Sequence, residues 1–75
     1  MKRDDIKVRI LAVERMLRKY RYITSTEILR RLELRYDIKV NRKTVYDDLR
    51  AIDLIVPLDV KVGIHGGYKI MVFEE

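Results

Sequence analysis

No glycine or proline interrupts the first 56 residues of the chain; Pro57, Gly63, Gly66 and Gly67 all lie in the last quarter. Glycine and proline are the strongest breakers of regular helix, so a tract this long without either is free to coil, while the last quarter, which holds all of them, is not expected to be helical. With 75 residues in all, there is room for one domain, because half of that length does not bury an independent core. The chain therefore reads as a single unit, helical first and extended last.

Hydrophobic periodicity divides the helical tract. From about residue 4 to residue 20, Ile6, Ile10, Val13, Leu17 and Tyr20 recur at steps of four and three, the core-facing stripe of an amphipathic helix. Asp4 and Asp5 at its start and Arg18, Lys19 and Arg21 at its end suit the helix dipole. Thr24-Ser25-Thr26-Glu27 has capping-box spacing, in which the Thr24 hydroxyl takes the Glu27 amide and the Glu27 carboxylate reaches back. A second helix is expected over about 25–36, with Ile28, Leu29, Leu32 and Tyr36 inward and Arg30, Arg31 and Arg35 outward. Asp37 to Val40 lacks helical periodicity and reads as a short extended turn. Asn41, a favoured N-cap, opens a third helix over about 42–53, buried through Val45, Leu49 and Ile52.

After Pro57 the period changes to two. Leu58, Val60 and Val62 alternate with Asp59 and Lys61, Gly63 to Gly67 supply a turn, and Tyr68, Ile70 and Val72 alternate again. This predicts a two-stranded hairpin over about 58–73. Three helices, the last two joined by a short turn, and then a hairpin make an α+β domain of winged helix-turn-helix type.

Composition narrows the function. The absence of cysteine excludes disulfides, thiolate zinc sites and a cysteine nucleophile, and one histidine leaves metal chemistry almost no ligands. No catalytic set is spaced along the chain, so an enzyme is not expected, nor a cofactor or a metal. No apolar run approaches the ~18 residues that span a bilayer, and the charged start does not resemble a signal peptide, which suggests a cytoplasmic protein, nucleoid-associated when bound to DNA. Residues 1–50 carry 15 Lys and Arg against 8 Asp and Glu, a balance of +7, whereas residues 51–75 carry 2 against 4, a balance of −2. Clustered Arg on a basic domain is the electrostatic footprint of a polyanion binder.

The third predicted helix carries the sharpest functional signal. With Val45, Leu49 and Ile52 inward, Lys43, Tyr46, Asp47 and Arg50 share the opposite flank. Arg42, Lys43 and Thr44 occupy the first turn, where free amides and the dipole attract phosphate. A dozen helical residues span roughly 18 Å, and such a helix fits the ~12 Å major groove, where Arg and Lys read guanine.

The segment Asp37-Ile38-Lys39-Val40-Asn41-Arg42-Lys43-Thr44-Val45-Tyr46-Asp47-Asp48-Leu49, together with Gly66-Gly67-Tyr68 further on, resembles the winged helix-turn-helix domains of the DeoR-like and biotin-repressor-like type. The nearest likeness is to those that open bacterial WYL-domain transcription regulators. The resemblance implies that the third helix enters the major groove and the wing touches nearby backbone or minor groove, with direct roles for Arg42, Lys43, Thr44, Tyr46 and Arg50. Two features depart from the pattern: Asp47 stands where many such domains carry Arg, and the tip Gly63-Ile64-His65-Gly66-Gly67 has no Arg or Lys. Wing contacts then fall to backbone amides, His65, Lys61 and Lys69, and helix-two contacts to Arg30 and Arg31, which cross the DNA backbone in this fold.

Each residue has a structural alternative. Asp47 accepts from cytosine or, the favoured alternative, pairs with Lys43 or Arg50 one turn away; Asp48 pairs with a basic residue of another helix. Thr44 supports the cap, Tyr46 packs on the helix-two turn, and the Arg30, Arg31, Arg35 set is an ordinary solvated face. The expected function is sequence-specific duplex DNA binding in a prokaryotic transcription regulator, such as a repressor, or its DNA-binding domain. The alternative is a protein-interaction winged-helix module with little specific DNA affinity. One domain covers a half-site, so a homodimer, or pairing through a C-terminal domain outside this sequence, is expected.

Overall fold

A computed structural model describes residues 6–64 and 66–71. Its element order is α1 (Ile6–Lys19), α2 (Ser25–Tyr36), α3 (Arg42–Ile55), β1 (Leu58–Lys61) and β2 (Gly67–Ile70). This is the α+β winged-helix layout: three helices and then one antiparallel hairpin. None of the described helices is long and apolar enough to cross a membrane. Asp4, Asp5, His65 and Val72, which figure in the sequence expectations, lie outside the described residues.

The core draws on the three helices, the second strand and two loops. Val13 and Leu17 of α1, Ile28 and Leu32 of α2, Val45, Leu49 and Ile52 of α3, and Ile70 of β2 are buried together with Ile23 and Ile38 from the loops. The stripes expected for α2 and α3 stand: Leu29 and Tyr36 pack partly buried against this cluster. In α1 the stripe is shorter and wider than expected. Ile6 is 60% exposed, whereas Ala12 and Met16 are buried. The start of α1 stands clear of the core, while the rest of the expected stripe holds: Val13 and Leu17 are buried, and Ile10 and Tyr20 pack partly buried against the cluster.

Local chemistry accounts for the helix ends. Thr24 Oγ1 accepts the Glu27 amide at 3.1 Å. The reciprocal half of the expected capping box is not made; the Glu27 carboxylate turns to Arg31 Nε at 2.9 Å, a charged donor that competes well against a backbone amide. Asp37 ends α2 in the left-handed region (φ 55, ψ 38), a conformation that Asp tolerates better than most residues. Ile38 then drops into the core and donates its amide to the Leu32 carbonyl at 3.0 Å. Asn41 Oδ1 accepts both the amide and the hydroxyl of Thr44 at 2.9 Å, the expected N-cap of α3. α3 runs to Ile55, two residues past the expected end, because the Val56 amide still reaches the Ile52 carbonyl.

The hairpin pairs Leu58 with Ile70, Asp59 with Lys69, Val60 with Tyr68 and Lys61 with Gly67. Val62, expected in the first strand, lies past its end and is 94% exposed, with the turn already begun. Three ties hold the hairpin to the rest of the chain. Ile23 and Tyr68 exchange amide–carbonyl hydrogen bonds at 2.9 and 2.8 Å, so the loop after α1 lies along β2 like a third strand. The Tyr22 hydroxyl donates to Asp59 at 2.5 Å, and Asp53 Oδ1 accepts the Leu58 amide at 2.9 Å. Gly67 makes the first tie possible. At φ +140 its backbone lies so near Ile23 that a Cβ would sit 2.5 Å from the Ile23 carbonyl oxygen.

Candidate nucleic-acid interface

Burying Val45, Leu49 and Ile52 orients α3 and leaves its other flank outward. Arg42, Lys43, Tyr46, Asp47 and Arg50 are all exposed. Lys43, Tyr46, Asp47 and Arg50, together with Asp53, form one wall of a groove of about 400 Å³, with Leu58, Val60 and Tyr68 of the hairpin as the other. The four residues expected to share a flank therefore do so. Among the described residues Asp47 forms no ion pair with Lys43 or Arg50; the expected one-turn pairing is not made, and all three groups line the groove independently.

Asp48, one residue on, is buried. It accepts from Arg9 Nε at 2.6 Å and Nη2 at 3.0 Å, with 12% and 5% of the Arg9 and Asp48 side chains accessible. The expectation that Asp48 pairs with a basic residue of another helix is met by α1. The hydrogen bond to Asp48 raises the pKa of Arg9, against the opposing effect of burial, so the guanidinium remains cationic. This bidentate pair helps to set the rotation of α3 against α1, and hence which flank of α3 faces out.

The remaining first-turn groups are tied locally. Arg42 Nη2 donates to Thr26 Oγ1 at 3.2 Å, linking the starts of α3 and α2. Tyr46 is 41% exposed, and its hydroxyl accepts from Ser25 Oγ at 3.3 Å, so it both touches the start of α2 and keeps part of its ring in solvent. Thr44, half-buried, gives its hydroxyl to the Asn41 cap.

The other expected contact residues separate into two groups. Arg30 is exposed on α2, held loosely by Glu27 at 3.9 Å. Arg31 departs from the expected outward face: it is half-buried, donates to Glu27 and, at 2.6 Å, to the Tyr20 hydroxyl, and lies 4.4 Å over the Tyr20 ring. Lys61 and Lys69 belong to the hairpin face opposite the groove. Residues directly paired across an antiparallel ladder share a face, so Val60 and Tyr68 look toward α3 while Asp59 and Lys69 look away, and both lysines approach the Tyr22 ring on that far side, at 5.7 and 5.2 Å. The sequence offered no means of seeing this, since 37 residues separate Tyr22 from Asp59, its partner on the first strand. Among the described residues no three of His, Cys, Asp and Glu come together as a metal site.

No protein-family model, curated protein or solved structure matches the chain.

Proposed function

We propose that this chain binds duplex DNA through α3, as a prokaryotic transcription regulator or the DNA-binding domain of one. The observation that carries the reading is the open flank of α3: Lys43 and Arg50 are exposed, seven residues apart on one face, beside an antiparallel hairpin in the position of a wing. Two helical turns separate them, so both reach base edges in a single major groove. Asp47 lies between them as an acceptor for a cytosine amino group, the contact that replaces the Arg of the domains it resembles. Arg42 and Arg30 take phosphates at the start of α3 and along α2.

The groove wall itself carries Lys43 and Arg50 against Asp47 and Asp53, two positive and two negative charges. A neutral face of this kind discriminates between sequences more than it attracts DNA in bulk. The likeness of Arg42 to Asp48 and Gly66-Gly67-Tyr68 to DeoR-like and biotin-repressor-like domains supports the same role, with a homodimer on an inverted repeat and repression as its usual form.

Selection of bound sequences from a random duplex library supplies the operator. On that operator, Lys43→Ala and Arg50→Ala are each expected to lose about 1–3 kcal/mol of binding, with melting temperature nearly unchanged because neither side chain is buried. Fluorescence anisotropy and thermal melts measure both. A library that returns no enriched sequence, or variants that bind as tightly as the parent, overturns the reading. The apolar lining of the groove, Leu58, Val60 and Tyr68, favours a protein partner in that event, recognisable by binding that survives high salt.

A further inference from the structure

Among the described residues, a concavity lined by cations with no carboxylate lies away from α3. Three adjoining depressions meet at Tyr20. The first, of about 390 Å³, is lined by Arg15, Lys19, Arg31 and Arg35 with the rings of Tyr20 and Tyr36, and no carboxylate enters its lining. The second, about 440 Å³, opens between Tyr20, Tyr22 and Arg31 toward the wing tip and includes Glu27, the ion-pair partner of Arg31. The third, about 400 Å³, brings Arg18, Arg21 and Lys69 beside Tyr20. None of these linings shares a residue with the α3 groove.

Arg15, Lys19 and Arg35 are exposed and form no ion pair among the described residues. Holding several such charges around one concavity costs mutual repulsion that a bound polyanion removes. The form of the surface selects the polyanion. A duplex stacks its bases inside and offers a convex phosphate backbone, which cannot fill separate pits. A single strand splays its bases outward, and pits of this size lie within the roughly 300–1,000 Å³ range of small-ligand sites. Aromatic rings and guanidinium planes are the platforms on which such bases stack. Arg31, 4.4 Å over the Tyr20 ring, supplies both where the three depressions meet, and Lys69 of the third approaches the Tyr22 ring of the second.

We propose that the surface centred on Tyr20, from Arg35 to Lys69, is a second nucleic-acid site that binds a single strand, its phosphates on the cations and its bases in the three depressions. The site is independent of the α3 reading and stands or falls separately from it.

The test uses fluorescently labelled oligothymidine and oligouridine of about twelve nucleotides, a length suited to a single-strand site, alongside a random-sequence duplex of equal length. The intact chain is expected to bind the single strands more tightly than the duplex, with quenching of tyrosine emission, which no tryptophan obscures. Combining Arg15→Gln, Lys19→Gln and Arg35→Gln is expected to weaken single-strand binding about tenfold and to make the log–log salt slope shallower by about two, at ~0.7 per lost phosphate contact. Lys43→Ala with Arg50→Ala leaves single-strand binding unchanged. If the triple variant melts early, Arg35→Gln alone carries the test through a slope change of about 0.7. Equal binding of duplex and single strand, equal loss on both, or a loss caused by the α3 pair overturns the proposal. Loss of operator binding in the α3 pair, by contrast, bears on the α3 reading alone.

Discussion

Asp48 and Asp47 are adjacent, identical and opposite in consequence. The helix period sends one inward to Arg9 and the other outward into the groove. Because Asp48 neutralises a guanidinium that is itself mostly buried, Asp48→Ala leaves an unpaired charge inside and is expected to cost about 3 kcal/mol or more in urea unfolding. Tyr22 is the residue with a readable pH signature. Its hydrogen bond to Asp59 holds the phenol protonated and raises its pKa above the ordinary 10.0. A pKa raised on folding contributes stability that is complete below the unfolded value and is lost as pH climbs through the folded one. Unfolding free energy is therefore expected to fall above pH 10, and Tyr22→Phe to remove that part of the fall; urea titrations of both proteins at rising pH compare them. A parent and variant that decline in parallel would place the Tyr22 hydroxyl in water.

At the scale of elements, the hairpin is the part most dependent on its neighbours. Four-residue strands do not persist alone, and this pair is held by the Ile23–Tyr68 exchange, the Tyr22–Asp59 bond and the Asp53 cap on Leu58. Gly67 and Tyr68 are explained by that attachment, and Gly66 by the turn, where a Cβ would press on the Lys61 carbonyl. Gly67→Ala would press a methyl group against the Ile23 carbonyl at a φ that alanine disfavours. It is expected to cost at least ~2 kcal/mol and to increase amide exchange at Tyr68, measurable by hydrogen–deuterium exchange; protection equal to the parent's would show that the wing is anchored elsewhere. α3 differs in kind. Val45, Leu49 and Ile52 bury it over two turns, which turns its other flank outward.

Over the whole molecule, charge and shape are distributed unequally. The α3 groove is balanced, and the depression between Arg15 and Arg35, whose lining has no carboxylate, is not. For operator binding through α3, with Arg30 and Arg42 on phosphates and Lys43 and Arg50 on base edges, log K is expected to fall against log salt at a slope of roughly −2, about −0.9 for each phosphate neutralised. Titrations across a salt series give this value directly. A slope much steeper than that on a specific duplex would mean that more cations than these two arginines meet phosphate.

The three helices, their caps and the inward faces of α2 and α3 were legible in the chain because each arises from neighbours within one or two turns: Thr24 reaches Glu27, Asn41 reaches Thr44, and Val45, Leu49 and Ile52 repeat at helical spacing. The candidate site was legible to the same extent, since Lys43, Tyr46, Asp47 and Arg50 share a flank by helix geometry alone. What needed tertiary structure was every relation between elements. Ile6 left the core because the start of α1 stands clear of it. Arg31 turned from solvent to Tyr20, and Lys61 and Lys69 came to lie behind the wing beside Tyr22. Helical periodicity places a side chain on one side of its own axis; which neighbour waits on that side is decided only when the helices and the hairpin close on a common core.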